Sequence, residues 1–380
     1  MKDAADAVAA YLLSGQNAVL FRKLLHTFGS YRSVMTASAA KWEALSMEAA
    51  ARKKAWPKGQ LVRELYQQWQ KTLAWLALEG NQLWLADQQP LTGALAQVIS
   101  EDDIAPLLFL RGNLDVLYLP QLAIVGSRAA SQYGLALAHS MARDLAEMGL
   151  TISSGLASGI DAAAHQGALS CSGRTLAVMG CGLDRCYPPR NRYLQEQIVE
   201  AQGLLVSEFV PGMPPLRHHF PRRNHVISCL SMGVLVVEAG KKSGSMITAK
   251  AAAALSRQVW ALPGSVHSVQ SAGCHQLIRD ELARLACSAH EVLSDCLPTL
   301  STWYGYSATT TQQSLQQSCA KPSVIGQAIL DVMGWEQMSL DSIITRMPSQ
   351  SASSIMTSLG ELEVQGWVNA TLAGYQRALS

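Results

Sequence analysis

Residues 122–159 read LAIVGSRAASQYGLALAHSMARDLAEMGLTISSGLASG, and this stretch decides the fold. An apolar run ends in Gly126-Ser127-Arg128, a segment with helical spacing follows, and a second apolar run ends in another loop of glycine and serine. This alternation continues through short apolar runs at 123–125, 151–152, 176–179, 204–206, 234–237 and 259–262. Strands that alternate with helices predict a parallel α/β sheet, and such sheets bind ligands outside the carboxyl ends of their strands.

The composition describes a globular protein with a substantial core. The chain has 380 residues, of which 49% are hydrophobic and 15% charged, which is enough for two or three domains. Acidic residues stand near the N-terminus where a signal peptide needs basic ones, and no apolar run approaches the ~20 residues of a membrane span. We therefore expect a cytoplasmic protein without membrane contact.

Charge and cysteine usage limit the possible partners. The eight cysteines contain no CxxC pair and no zinc-type spacing, so reduced thiols and no metal site are expected. The net charge of +2 does not by itself indicate a nucleic-acid binder. A basic binding surface would therefore have to be local.

The pattern along the chain predicts four parts. Apolar residues at helical intervals near the N-terminus indicate packed helices, with a DNA-touching helical hairpin as the alternative. A run rich in Ser, Thr and Gln indicates a linker, and three helical segments followed by a hairpin indicate a winged helix. The parts are a helical domain resembling SAM or helix-hairpin-helix domains (1–75), a Rossmann-like domain with its entry segment (76–295), a linker (296–322) and a winged helix (323–380).

The predicted winged helix is too acidic for an ordinary duplex reader. A recognition helix needs lysine or arginine to neutralise phosphates, and the segment 351–365 has neither. This favours a protein-docking role for the last part of the chain. Its acids outnumber its bases: Asp331, Glu336, Asp341, Glu361 and Glu363 stand against Arg346 and Arg377.

Two of the loops offer main-chain amides at the start of a helix. Gly126-Ser127-Arg128 combines close backbone approach, a hydroxyl and a bidentate phosphate partner, although a tight turn with a salt-bridged arginine is the alternative. The segment SSGLASGIDAAAH at 153–165 likewise precedes a helix. In it, Asp161 and His165 share one helical face, and we interpret them as a helix-start acid and a packed histidine.

Two further loops add charge and hydroxyls. Six of the nine residues at 217–225 are arginine or histidine, so we expect Arg222 and Arg223 to serve a ligand while Phe220 lies in the core. The Ser243-Gly244-Ser245 loop again precedes a helix and forms another expected anion cradle. Arg190 and Arg192 add positive charge in a loop that lies between the segments 153–165 and 217–225.

Signatures of common enzymes are absent from the sequence. There is no GxxxxGK[ST] phosphate loop, and Gly180-Cys181-Gly182 lacks the third glycine of a dinucleotide fingerprint. No GxSxG elbow and no HExxH pair occurs. The chain is therefore expected to be no enzyme and to carry no cofactor.

The ordered motifs resemble the DNA-processing protein A family, also called DprA or Smf. They run from about 105 to 285 as AIVGSR, YG, SGLASGIDAAAH, GCGLDRCYPPRN, SEF, FPRRN, VVEAGKKSGSMITA and ALPG. The resemblance implies an extended Rossmann-like domain that binds single-stranded DNA, forms a homodimer and helps to load the RecA recombinase in natural transformation. It implies DNA contact by Gly126, Ser127, Arg128, Arg192, Arg223, Asn224, Ser243, Gly244 and Ser245, and the charge of the basic loop adds Arg222 to this expected DNA-binding set.

The chain departs from the family pattern in two places. His225 stands where the family usually has a second arginine after FPxRN. Near the end of the domain, Cys274-His275 and Glu281-Leu282 replace the usual pairs. The second departure falls in the region that the family uses to dimerise, so it concerns the dimer more than DNA binding.

The sequence leaves two alternative functions open. A nucleotide-binding enzyme of the phosphoribohydrolase type would share the sheet, with Glu208 or Glu238 as its carboxylate, but the PGGxGTxxE motif of those enzymes is absent. A protein-interaction scaffold built around the acidic winged helix is the other alternative.

Overall fold

The structure is a computed structural model, and its described residues form two compact units, one that ends at residue 305 and one that begins at residue 323. Among the described residues, no helix is both long and apolar enough to cross a lipid bilayer. The described ranges are 2–86, 94–95, 104–305, 323–334, 337–364, 367–371 and 374–377.

The chain opens with packed helices. The packed helices expected near the N-terminus are confirmed. Asn17 caps the second helix, since its side-chain oxygen accepts a hydrogen bond from the Leu20 amide at 2.9 Å. The helices are α1 (Lys2–Leu13), α2 (Ala18–Phe28), α3 (Tyr31–Thr36), α4 (Ala39–Glu43), α5 (Met47–Ala55) and α6 (Arg63–Leu76).

A nine-stranded sheet follows, and its strand order is β1-β2-β6-β5-β4-β3-β7-β8-β9. The strands from β3 to β9 pair in parallel, whereas β2 is antiparallel to both β1 and β6. The strands are β1 (Asn81–Leu85), β2 (Leu107–Gly112), β3 (Gln121–Val125), β4 (Thr151–Ser154), β5 (Thr175–Val178), β6 (Leu204–Ser207), β7 (Gly233–Val236), β8 (Gln258–Ala261) and β9 (Arg284–Leu285).

The six strands predicted from apolar runs are confirmed, with bounds that differ by at most two residues. Their side chains are buried along almost their whole length, as expected for parallel strands that are covered on both faces. The entry segment adds the short strands β1 and β2 to the sheet. The edge strand β9 was not predicted, because its two residues, Arg284 and Leu285, are exposed and show no apolar run.

Helices connect the parallel strands. Both faces of the sheet carry hydrophobic cores, and the core on one face includes Tyr11, Phe21 and Trp75 of the N-terminal helices. The domain boundary expected near residue 75 stays a prediction. The connecting helices are α7 (Gln132–Glu147), α8 (Ile160–Ser170), α9 (Arg192–Glu200), α10 (His219–Leu230), α11 (Gly244–Ala254) and α12 (Ala272–Arg279).

The expected linker begins later than the sequence indicated. Helix α13 (Ala289–Tyr304) includes residues 296–304, which were assigned to the linker. Cys296 and Leu300 are buried one helical turn apart, and the Trp303 ring lies 4.2 Å from the Arg257 guanidinium carbon. The burial of these side chains extends the helix into a segment that the sequence had assigned to the linker. The rest of the expected linker, 306–322, lies outside the described residues.

The second unit contains α14 (Val324–Met333), α15 (Leu340–Arg346), α16 (Ala352–Val364) and the antiparallel pair β10 (Val368–Thr371) and β11 (Gly374–Arg377). Its core includes Ile329, Ile343, Ile355, Leu359 and Val368. The predicted order of three helices and a hairpin is confirmed. Its assignment as a winged helix stays a prediction.

Candidate nucleic-acid interface

A cleft of ≈ 440 Å³ lies at the carboxyl ends of neighbouring strands β3 and β7. The chain runs from β3 through β4 and β5 to β6 in one direction and then returns to the other side of β3. The order of the sheet therefore reverses between β3 and β7, and such a switch point is where open α/β sheets bind ligands. The cleft is lined by eight of the predicted site residues: Gly126, Ser127, Arg128, Arg223, Asn224, Ser243, Gly244 and Ser245.

The loop after β3 requires glycine and leaves its arginine exposed. A Cβ at Gly126 would lie 2.8 Å from the main-chain oxygen of Glu238. The Ser127 amide donates to that same oxygen at 2.7 Å, which joins this loop to the one after β7. Arg128 is exposed and has no ion pair within the described part of the chain. The alternative of a tight turn with a salt-bridged Arg128 is therefore not found among the described residues.

The loop after β4 places a buried carboxylate beside the cleft. Asp161 is 6% exposed and accepts hydrogen bonds from the amides of Gly155 at 3.2 Å and Ala157 at 3.4 Å. Burial raises the pKa of the Asp161 carboxyl, and the charge of Arg223 opposes that rise. Asp161 lies in the first turn of α8, as predicted, and its hydrogen bonds hold the loop that precedes the helix.

His165 on the same helix is a packed histidine, as predicted. It is fully buried, and its Nδ1 lies 2.7 Å from the Thr175 hydroxyl. Burial, followed by the charge of Arg223, lowers the pKa of His165 to about 3. The imidazole is therefore neutral at physiological pH. Among the described residues, no group of three histidine, cysteine, aspartate or glutamate side chains is placed to hold a metal ion.

Arg223 on α10 forms part of the cleft wall from a buried position. It is 4% exposed and donates to the main-chain oxygens of Gly155 and, at 3.1 Å, Val178. Burial lowers the pKa of its guanidinium, Asp161 raises it, and Arg128 lowers it. Its Nε has no hydrogen-bond partner among the described residues. A buried cation with a spare donor and a second arginine close by favours an anion between them.

The loop after β7 completes the cleft at the start of α11. Ser243 caps this helix, since its hydroxyl accepts from the Ser245 amide at 3.2 Å. The Asn224 side-chain amide donates to the Gly244 oxygen at 3.3 Å and so ties α10 to this loop. Thr248, one turn further, also lines the cleft, which the sequence motifs did not indicate.

Arg222 does not reach the cleft, which corrects the expectation that it serves a ligand there. Its guanidinium forms an ion pair with Glu208, with Nε 3.1 Å from Oε2. It also donates to the Tyr11 hydroxyl at 3.2 Å and the Gln16 main-chain oxygen at 3.1 Å. Successive residues point about 100° apart on a helix, so Arg222 and Arg223 cannot share one face. Arg222 joins the N-terminal helices to the sheet.

Arg192 is not among the residues that line the cleft. It is exposed in the first turn of α9, so its DNA contact stays a prediction. Phe220 was expected in the core and is instead half-buried, where it forms a wall of a small cavity together with Tyr187. Arg128 lies close to Phe220, with its guanidinium carbon 5.2 Å from the centroid of the Phe220 ring.

The two carboxylates considered for an enzyme are both committed to the fold. Glu208 is 1% exposed and, besides its ion pair, accepts from the Ala105 amide at 2.9 Å. Glu238 accepts from the Ser131 amide at 2.9 Å and from the Ser131 hydroxyl at 2.5 Å, at the start of α7. Neither carboxylate lines the cleft. The geometry therefore gives the phosphoribohydrolase alternative no support.

Comparison with known proteins identifies the family of this chain. The family model described as DNA recombination-mediator protein A matches residues 88–297, more than half of the chain. The chain belongs to this family. Among similar relatives, Protein Smf of Escherichia coli K12 is 38% identical over 308 residues, which cover 81% of this chain and 80% of the relative. DNA processing protein DprA of Streptococcus pneumoniae R6 is 47% identical over 193 residues, which cover 51% of this chain and 67% of the relative.

Solved structures of the DprA family have the same fold. DNA processing protein A of Streptococcus pneumoniae superposes with a TM-score of 0.62 at 34% identity, over 76% of this chain and 97% of that one. The protein from Helicobacter pylori gives a TM-score of 0.50 at 27% identity, over 57% of this chain and 96% of that one. The study of the Helicobacter protein concerns its single-stranded DNA binding mode.

Proposed function

We propose that this protein binds single-stranded DNA in the switch-point cleft, by its phosphates, and catalyses no reaction. One observation carries the proposal: the cleft brings the exposed Arg128 and the buried Arg223 together with the loops that precede α8 and α11. The single-stranded DNA binding named for the Helicobacter pylori relative supports the same conclusion.

The chemistry of the cleft suits phosphate groups. Helix N-termini favour anions, and guanidinium groups bind phosphate oxygens in a bidentate manner. Of the charged side chains that line the cleft, Arg128 and Arg223 are cationic and Asp161 is anionic, so positive charge is in excess. Contacts to phosphates position a strand without reading its sequence, so binding is expected on all sequences.

We further propose a cytoplasmic recombination mediator that helps to load the RecA recombinase on incoming single strands in natural transformation. Membership of the recombination-mediator family supports this role. The test is RecA filament formation on oligo-dT covered by single-strand binding protein, with and without this protein. Faster filament formation is expected, and an unchanged rate would contradict the role.

A homodimer through the Rossmann-like domain is the third part of the proposal. Leu282 is 36% exposed and Leu285 is 52% exposed at the β9 edge of the sheet, where a second copy can cover them. Light scattering on a size-exclusion column measures the mass directly. A mass of one chain at micromolar concentration would contradict the dimer.

The acidic C-terminal unit is proposed to bind a protein and not DNA. In its described part, Asp331, Asp341, Glu361 and Glu363 outnumber Arg346 and Arg377. Removal of residues 306–380 is therefore expected to leave most of the affinity for oligo-dT. A large loss of affinity would show that this unit contacts DNA or supports the dimer.

Fluorescence anisotropy with a labelled oligo-dT tests the central proposal. Binding is expected to oligo-dT and to mixed sequences alike, and to be weaker on a blunt duplex of the same length. Incubation with nucleoside monophosphates should release no free base. Equal or tighter binding to the duplex would contradict the preference for single strands, and release of base would support an enzyme.

A further inference from the structure

Positive charge is concentrated in the N-terminal helices. Residues 1–76, which end with α6, contain eleven lysine and arginine residues against five aspartate and glutamate residues, although the whole chain has a net charge of only +2. The excess is largest at 52–71, where six cations stand against the acid Glu64. A local basic surface of this kind attracts polyanions, and none of its residues lines the cleft between β3 and β7.

The fold uses only part of this charge. Arg52 forms an ion pair with Glu48, and Lys53 donates to a main-chain oxygen of α3. The exposed cations of the same stretch have no side-chain hydrogen bond or ion pair within the described part of the chain, and they are Lys54, Lys58, Arg63 and Lys71. These side chains are therefore available to a ligand.

Three partly buried aromatic rings lie among the available cations. The Trp56 ring centroid lies 5.4 Å from that of Tyr66 and 5.9 Å from that of Trp69, edge to face in both cases. Tyr66 and Trp69 are stacked, with centroids 5.3 Å apart and 25° between their planes. Arg63, Tyr66 and Trp69 follow at three-residue intervals and so lie on one side of α6, while Lys58 is two residues from Trp56. We call these five residues the aromatic platform.

Helix α6 lies against the same edge of the sheet as the cleft. Gln68 donates to the Pro211 oxygen in the loop that follows the carboxyl end of β6. Gln68 and Tyr66 are two residues apart and point to opposite sides of α6, so the platform faces away from this loop. The order β6-β5-β4-β3 separates the loop from the cleft by about 15 Å, and the helix adds about 10 Å. A strand that extends several nucleotides beyond the cleft can therefore reach the platform.

We propose that the aromatic platform is a second binding surface for single-stranded DNA, occupied by the part of a strand that extends beyond the cleft. Lys58 and Arg63 contact its phosphates, and Tyr66 and Trp69 stack on its bases. Partly exposed rings beside unpaired cations suit a single strand, whose bases are free to stack, better than a duplex, whose bases already stack on one another. The proposal rests on the proposed binding of single-stranded DNA in the cleft and lengthens the binding site.

The test compares the shortest oligo-dT that the wild type binds with a longer strand that also reaches the platform. The wild type is expected to bind the longer strand more tightly. Lys58→Glu should lose most of this gain and keep the affinity for the short strand, and its salt slope on the long strand should be shallower by about 0.7. Tyr66→Leu should lose about fivefold on the long strand alone, which is the size of one stacking contact. Tyr66→Phe keeps the ring and should retain the gain.

Lys71→Glu is the matched control, because Lys71 is an exposed lysine of α6 that lies about 140° around the helix from Tyr66. It changes the charge by the same amount as Lys58→Glu and should keep the gain. Equal wild-type affinity for both strands, an unchanged gain in Lys58→Glu, or an equal loss in Lys58→Glu and Lys71→Glu would overturn the platform. Absence of binding at every strand length would overturn the proposed function and the platform with it. Affinity for the short strand shows that each variant is folded, and Lys58→Glu decides the outcome should Tyr66→Leu fail this check.

Discussion

Arg222 and Arg223 are neighbours on α10, but their side chains lie in two different regions of the molecule. Arg222 belongs to a junction, formed with Glu208, Tyr11 and Gln16, that ties the N-terminal helices to the sheet. Arg223 belongs to the cleft, beside Arg128 and Asp161. The difference lies in the balance of charge and hydrogen bonds around each guanidinium.

In the junction, the positive charge of Arg222 is paired with the negative charge of Glu208. Glu208 receives two hydrogen bonds from Arg222 and one from the Ala105 amide, so little is left to bind a ligand. In the cleft, two cations share the single carboxylate of Asp161, and Arg223 keeps an unpaired Nε among the described residues. A cation that is already paired with a buried carboxylate holds the fold together, whereas an excess of cations binds an anion.

The largest effect is expected from breaking the junction. Arg222→Met leaves the Glu208 carboxylate buried without its partner, which should lower the free energy of unfolding by about 3–5 kcal/mol. Denaturant unfolding measures this change. The affinity of the remaining folded protein for oligo-dT should stay within a small factor of the wild type. A stable variant with weak DNA binding would place Arg222 in the cleft instead.

The pH dependence of this variant identifies the carboxylate responsible. Burial raises the pKa of Glu208, while Arg222, the Ala105 amide and His225 lower it, and removal of the arginine takes away the largest of these opposing effects. A carboxyl whose pKa is raised in the folded state stabilises the fold below its ordinary value of 4.5, and this stabilisation is lost as the pH rises through the folded pKa. The deficit of Arg222→Met should therefore shrink toward acidic pH, and adding Glu208→Gln should remove this trend.

A smaller loss of stability, joined to a loss of DNA binding, is expected from Arg223→Ala. The substitution leaves the Gly155 and Val178 oxygens without their donor and Asp161 without its cation, which should cost about 3 kcal/mol. Binding to oligo-dT should also weaken, because a wall of the cleft is lost. Full stability with weakened binding would mean that Arg223 serves the ligand alone, and weakened stability with full binding would mean that it serves the fold alone.

The sequence predicted the sheet and the loops that line the cleft, because both follow from local pattern. Apolar runs that end in glycine or serine mark the strands, and parallel strands bring their carboxyl-end loops to one edge. The roles of Arg222 and Phe220 could not be read in this way. They depend on Glu208 and Tyr11, which are 14 and 211 positions away from Arg222, and on the cavity at Gly180. The linker start was missed because α13 continues on the buried side chains of Cys296 and Leu300.

A modest gain of affinity is expected from Asp161→Asn. Asparagine keeps an acceptor for the Gly155 and Ala157 amides but removes the negative charge that faces a bound phosphate. Binding to oligo-dT at pH 7 should tighten by about threefold. Burial raises the pKa of Asp161 above 3.8, so wild-type affinity should rise as the pH falls through that pKa. Titration of the wild type beside the variant separates this carboxyl from the histidines, which both proteins share. Unchanged affinity in the variant would contradict a phosphate near Asp161.

The salt dependence of oligo-dT binding by Arg128→Ala tests most directly that the cleft binds phosphates. Each neutralised phosphate of a single strand contributes a slope of about 0.7 to the plot of log affinity against log salt, so the variant should be shallower by about that amount. Arg128 is exposed without an ion pair among the described residues, so the melting temperature should not change. Arg174 is exposed and lies just before β5, at the amino ends of the parallel strands and therefore away from the cleft. Arg174→Ala should keep the wild-type slope. An unchanged slope for Arg128→Ala, or an equal change in both variants, would contradict phosphate binding in the cleft.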